Sequence, residues 1–258
     1  MKDTLQIALL QYEIEWQNPQ ANLKKIETLL HGISDVDVVV LPEAFNTGFS
    51  MEAEKVAETM DGFSLTKVRS LVREYNVVLC GSLFVREGDS IFNRFVWMEP
   101  NGQEHVYDKR HLFSVGNEHL HYSPGTRQVL IDFEGWRIMP SICYDVRFPV
   151  WLRNTQNYDL LLNVANWPAA RTEIWQTLLR ARAIENQCYV LACNRIGTDG
   201  AGVDHLGHSC AINARGEILA QGNSSEQMIR CSLSKTELQA FRQKFNTLID
   251  ADRFEIDL

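Results

Sequence analysis

The chain has 258 residues, 45% of them hydrophobic and 22% charged, and 33 acidic against 25 basic residues leave a formal charge of −8. Those proportions exclude a disordered or fibrous chain, and the acidic balance argues against a nucleic-acid or anionic-membrane binder, since both need a basic face. No apolar run approaches the roughly 20 residues that span a bilayer, residues 1–11 lack a signal-peptide layout, and the cysteines at 80, 143, 188, 193, 210 and 231 show no framework spacing, so reduced thiols in the cytoplasm are expected.

In chain order, residues 5–11 read as a buried strand. Asn18-Pro19 then offers an N-cap and a first-turn proline to a helix with the stripe Leu23, Ile26, Leu29 and Leu30, stopped at Gly32. The β-branched run 37–41 is a second buried strand. Ser64 is expected to cap a helix running to Tyr75, and 77–82 follows as a strand. Residues 91–98 and 103–107, joined by Glu99-Pro100-Asn101-Gly102, read as a hairpin. A second hairpin pairs 129–133 with 137–143. Next come a strand (159–165), a helix (173–186) and a strand (189–194). A third hairpin, 208–213 with 217–220, precedes a helix from about Ser234. Strand–helix alternation at both ends with hairpins between predicts an α/β fold, as one mixed sheet or two sheets flanked by helices. No repeat or boundary divides it, so one domain over 1–258 is expected.

Three features sit just past the C-terminal ends of apolar strands, where functional residues usually lie. Val38-Val39-Val40-Leu41-Pro42 delivers Glu43, which by itself reads equally as a surface carboxylate after a proline turn. Tyr107-Asp108-Lys109-Arg110-His111-Leu112-Phe113 is a basic cluster, or a solvated charge run. In Met139-Pro140-Ser141-Ile142-Cys143-Tyr144-Asp145-Val146-Arg147-Phe148-Pro149 a cysteine ends a strand and a proline-started helix is expected to follow. That arrangement exposes a nucleophile on an elbow, with a following backbone N–H for an oxyanion. The bland alternative is a core cysteine.

Taken together, in the order Glu, Lys, Cys, these patterns resemble the nitrilase superfamily of carbon–nitrogen hydrolases. Asn163-Val164-Ala165-Asn166-Trp167-Pro168, Arg180-Ala181-Arg182-Ala183-Ile184-Glu185-Asn186 and Asn194-Arg195-Ile196-Gly197 extend the likeness over residues 5–220. The flanks of Lys109 and Cys143 are most similar to the omega-amidase branch, which hydrolyses the terminal amide of 2-oxoglutaramate and 2-oxosuccinamate. The resemblance implies a four-layer α-β-β-α sandwich and no cofactor, and the histidine spacing gives no expectation of a metal. The resemblance also implies a homodimer, with residues 232–258 running across the partner or folded on their own domain, and a functional link to glutamine transaminases.

By the same resemblance Cys143 is the nucleophile, Glu43 its general base, and Lys109 with the Tyr144 backbone N–H the oxyanion donors. Glu118 matches the family's second glutamate, unless it is a surface loop residue. A 2-oxo acid monoamide carries one carboxylate, so Arg147 is a candidate reader with bidentate geometry. Its alternative is an ion pair that only fixes the turn. Asn166 and Trp167 are expected to line the site, and Phe49 and Phe113 to close it. His119, His121, His205 and His208 are taken as loop histidines, Gly197-Thr198-Asp199-Gly200-Ala201-Gly202 as no phosphate cradle, and Arg180 and Arg182 as partners of Glu173 or Glu185. A nitrilase, a carbamoylase and another amidase remain rivals within the superfamily. A silent scaffold or thiol sensor is the rival outside enzymology.

Overall fold

The computed structural model describes residues 2–257; Met1 and Leu258, the ends of the expected 1–258 domain and of its tail, lie outside the described residues. In chain order the elements are β1 (Thr4–Gln11), α1 (Pro19–Leu30), β2 (Val38–Val40), α2 (Ala53–Val56), α3 (Phe63–Tyr75), β3 (Val78–Glu87), β4 (Ser90–Met98), β5 (Glu104–Asp108), β6 (Ile131–Phe133) and β7 (Trp136–Ile142). They continue as β8 (Leu160–Ala165), α4 (Thr172–Asn186), β9 (Tyr189–Asn194), β10 (Ile196–Thr198), β11 (Asp204–Leu206), β12 (Cys210–Ile212), β13 (Ile218–Gln221), β14 (Gln227–Ser234) and α5 (Lys235–Lys244).

Two six-stranded sheets form, ordered β14-β1-β2-β3-β4-β5 and β13-β12-β9-β8-β7-β6, beside a small β10–β11 ribbon. Strands β1, β2 and β3 are parallel, and so are β7, β8 and β9. Helices α1, α3 and α4 lie in the crossovers that such pairings require. Because β4 is antiparallel to both β3 and β5, β5 points the same way as β3.

Period-two alternation sorts the side chains into layers. Leu5, Ile7, Leu9, Val38, Val40, Val78, Phe95 and Trp97 join the core shared with the second sheet. Their neighbours Ala8, Leu10, Val39, Leu79, Val96 and Met98 pack with Leu23, Ile26 and Leu30 of α1 and Leu65, Val68 and Leu71 of α3. On the far side Trp175, Leu179 and Ala183 of α4 cover the second sheet. Both strand faces are therefore buried, which is why these strands read as continuous apolar runs. The layers run α-β-β-α, as expected.

Several local expectations are corrected. Ser64 does not cap α3. Gly62 is the N-cap, and Ser64 is buried in the first turn, donating from Oγ to Glu58. No proline-started helix follows Cys143. Residues Cys143–Arg147 form a short 3₁₀ turn instead. The turn ends at Phe148, which precedes Pro149 and is non-helical (φ −110°, ψ 87°), as the proline ring disfavours the α region for the residue before it. Strand β14 pairs along the whole of β1, which local patterning around 227–234 does not announce. Ser234 caps α5, accepting from the N–H of Glu237. Ile256 packs against this chain's own core.

Candidate active site

The C-terminal ends of the parallel strands from both sheets converge, and the residues that follow them build one site. Glu43 follows β2 on a turn whose N–H groups at Ala44 and Phe45 bond to Oγ and O of Ser82 on β3. This turn lies so close to β3 that a Cβ on Gly81 would meet Leu41 Cβ at 2.8 Å, so glycine is needed there. Lys109 follows β5, and its own N–H bonds to O of Asn93 on the neighbouring β4.

The Lys109 ammonium is fully buried and donates to Glu43 Oε1 at 2.9 Å and to both Glu118 oxygens at 3.1 and 3.0 Å. Burial disfavours its charge, but Glu118 and Glu43 together outweigh that penalty and hold the ammonium well above the ordinary lysine range. Glu118 is not a surface residue. It is completely buried, and its pKa is raised by burial and by the neighbouring Glu43 charge, against the pull of Lys109 and the Phe113 N–H. Asn93 completes the cluster, donating to Glu43 at 2.8 Å and Glu118 at 3.4 Å. The second Glu43 oxygen accepts from the backbone N–H of Asn166 at 2.8 Å, and the Asn166 amide donates to the Glu43 carbonyl.

Cys143 stands at the end of β7 with φ +43°, a left-handed conformation that costs a non-glycine residue about 1–2 kcal/mol. Asp145 holds this elbow. Its buried carboxylate accepts from the N–H of Ile142, the Tyr107 hydroxyl at 2.8 Å, and the N–H and ring Nδ1 of His111, each at 2.9 Å. The elbow and the lysine loop thus share one anchor. Burial, and then the nearby Glu43 charge, push the Cys143 thiol up, with Lys109 acting in the opposite direction. The thiol is protonated at neutral pH and needs a base.

Cys143, Glu43, Lys109 and Tyr144 line a cavity of about 350 Å³ whose remaining walls include Phe49, Phe113, Arg147, Asn166 and Trp167. Every sequence-nominated residue except Glu118 therefore meets the same space, and Glu118 stands behind Lys109. Phe49 lies 4.9 Å from the Lys109 ammonium, ring centroid to Nζ. Arg147 has no carboxylate within 4 Å among the described residues. It stacks on Trp167 at 5.1 Å and Tyr144 at 5.8 Å. The alternative of a turn-fixing ion pair therefore has no partner here.

Residues 6–243 match the carbon-nitrogen hydrolase family. The chain belongs to this family. It is 45% identical, over 98% of both chains, to the omega-amidase YafV of Escherichia coli K12. It is 34% identical to the 2-oxoglutaramate amidase of Bacillus subtilis, covering 95% of this chain and 96% of that one. The crystal structure of XC1258 from Xanthomonas campestris, a CN-hydrolase superfamily protein with an arsenic adduct in its active site, superposes with a TM-score of 0.97. It has 40% identity and covers 99% of this chain and all of that one.

Some residues of this carbon-nitrogen hydrolase site are not nominated by its sequence. Asn93 had a signal, because it shares strand parity with the apolar Phe95 and Trp97 and so falls on a buried face. Asp145, Arg171 and His205 carried none. His205 is not a loop residue; it is the inward-facing member of β11, buried between exposed Asp204 and Leu206. His119 and His121 are exposed, and among the described residues no three His, Cys, Asp or Glu side chains group as metal ligands. Arg182 pairs with Glu185 at 2.9 Å. No helix among the described residues is long and apolar enough to cross a membrane.

Proposed function

We propose that this carbon-nitrogen hydrolase is an omega-amidase that hydrolyses the terminal amide of 2-oxoglutaramate and 2-oxosuccinamate, giving the 2-oxo dicarboxylate and ammonia. The observation that carries the reading is the polarity of the cavity. A thiol, a carboxylate and an ammonium meet at one place on its wall, and Arg147, a guanidinium without a carboxylate partner among the described residues, lines the same space. That is the complement of a small molecule with an amide at one end and a carboxylate at the other. The names of the Escherichia coli and Bacillus subtilis relatives agree with it.

In this scheme Glu43 takes the proton from Cys143 Sγ as sulfur attacks the amide carbon. The tetrahedral oxyanion is met by the Lys109 ammonium and the N–H of Tyr144, the second residue of a turn whose first donors have no partner within it. Glu43 returns the proton to the nitrogen, the C–N bond breaks, and ammonia leaves behind a thioester. Water then attacks the thioester carbon while Glu43 takes its proton. The C–S bond breaks, and the thiolate is reprotonated from Glu43. Glu118 acts as a positioning residue, holding Lys109 between two carboxylates. Asn166, Trp167, Phe49 and Phe113 shape the space around the chain of the substrate, whose carboxylate goes to Arg147.

The test is ammonia release from 2-oxoglutaramate, glutamine, a simple nitrile and an N-carbamoyl amino acid, for wild type and Cys143→Ala. Release from the 2-oxo amide alone, lost in Cys143→Ala, is expected. Release from another of the four moves the specificity to another amidase, a nitrilase or a carbamoylase, and silence on all four returns the chain to a scaffold or sensor. The same reading carries a cytoplasmic homodimer working beside glutamine transaminases that make its substrate. Light scattering on the full chain and on a chain lacking residues 250–258 checks the dimer and whether the tail contributes to it.

A further inference from the structure

Arg171 is a second cation on the cavity wall without a carboxylate within 4 Å among the described residues; its guanidinium lies 5.6 Å from the Phe113 ring. Trp167 ties it to Arg147: the indole N–H donates to the Arg171 carbonyl at 2.8 Å, while the face of the same indole carries Arg147. Asn194 fixes that tryptophan from β9, accepting from its backbone N–H at 2.8 Å. The short turn holding Arg171 packs against β11, and from β11 His205 reaches the same cavity. His205 is 4% exposed and its buried Nδ1 has no hydrogen-bond partner among the described residues. Native proteins rarely leave a buried ring nitrogen unpaired, so this atom is one that a bound molecule can satisfy.

Resting on the omega-amidase reading, we propose that Arg171 and His205 are specificity-determining residues: Arg171 clamps the substrate carboxylate together with Arg147, and His205 donates from Nδ1 to the adjacent 2-oxo oxygen. The chemistry follows the two groups. A planar guanidinium suits a carboxylate, and its five N–H donors include no acceptor. A ketone oxygen needs one neutral donor, which an imidazole protonated on Nδ1 provides. Burial, and then the Arg195 charge, hold the His205 ring toward its neutral form. Lys109 is not assigned to this oxygen, because in the scheme above it serves the oxyanion at the scissile carbonyl, beside Cys143 and Glu43.

The test compares 2-oxoglutaramate with glutaramate, which has the same length and carboxylate but no 2-oxo group. It uses wild type, Arg171→Met, Arg171→Lys and His205→Phe. Arg171→Met is expected to lower kcat/KM on both substrates about 10- to 100-fold, mainly through KM, as loss of a charge-assisted contact should, with partial recovery in Arg171→Lys. His205→Phe is expected to lower kcat/KM on 2-oxoglutaramate at least tenfold more than on glutaramate. If glutaramate is not turned over, its inhibition constant against 2-oxoglutaramate replaces kcat/KM. Should Arg171→Met not fold, Arg171→Lys with a raised KM and unchanged kcat carries the arginine arm. Arginine variants within threefold of wild type, or a His205→Phe loss equal on the two substrates, overturn the proposal while leaving the omega-amidase reading intact. A wild type inert toward 2-oxoglutaramate overturns both.

Discussion

The two regions of the cavity differ in what is left for a ligand to do. Where Glu43, Lys109, Glu118 and Asn93 meet, the charges are paired inside the protein at 2.8–3.4 Å. Around Trp167, two guanidiniums lack carboxylates within 4 Å and a buried imidazole nitrogen lacks a hydrogen-bond partner among the described residues. Reaction machinery gains from being preorganised, because a group held in place need not reorient as charge develops. A recognition surface gains from the reverse, since polar groups left unpaired reject a molecule that cannot satisfy them.

The strongest challenge to that contrast is Cys143→Ala, expected to reduce turnover by at least about 10⁴-fold, as loss of a catalytic-triad nucleophile does. Intact mass of Glu43→Gln after mixing with 2-oxoglutaramate should show an adduct on Cys143, and an adduct on any other cysteine would break the scheme. Next in size is Lys109→Met, which leaves Glu43 and Glu118 buried side by side. Removing one partner of a buried charge group costs about 3–5 kcal/mol, and loss of an oxyanion donor about 10²–10³ in kcat. One of the two carboxyls then holds its proton to higher pH than in the unfolded chain, so the variant should lose stability as pH rises from 6 to 8. Denaturant midpoints measure it, and a midpoint equal to wild type at both pH values would show that the cluster was not prepaired.

Asp145→Asn is a milder probe, because it removes acceptor capacity from the anchor that joins the elbow to the lysine loop without touching the cavity wall. A fall of about 10-fold in kcat with KM nearly constant is expected, by analogy with other supporting hydrogen bonds; a change in KM alone would place Asp145 in recognition instead. A last effect concerns the thiols. All six cysteines have their pKa raised by burial. The native state therefore keeps protons that the unfolded chain releases above about pH 8.5, and stability falls as pH rises through that range, by about 1.4 kcal/mol per pH unit for each thiol. Urea unfolding between pH 8 and 10 should show a shallower slope for Cys143→Ala than for wild type, by one thiol's share. Equal slopes would mean that the Cys143 thiol ionises as readily in the fold as out of it.

The strand ends that carry Glu43, Lys109 and Cys143 were legible from the residues, because an apolar run followed by one polar residue is a local pattern read over five or six positions. Alternation on β4 even held the unread hint that Asn93 faces inward. The α-β-β-α layering and the assignment of Glu118 came from the family resemblance. What local pattern does not contain is partnership. Lys109 meets Glu43 across 66 residues, and Glu43 meets Asn166 across 123. Those distances close only because parallel pairing sends the C-terminal ends of β2 and β8 to the same rim and stacks one sheet on the other. Arg171 and His205 show the limit most plainly. An arginine after Ala169-Ala170 and a histidine after Asp204 look like any surface residues in the chain. Only the packing of a short turn against β11 gives the one a cavity to face and buries the other with a ring nitrogen unpaired among the described residues.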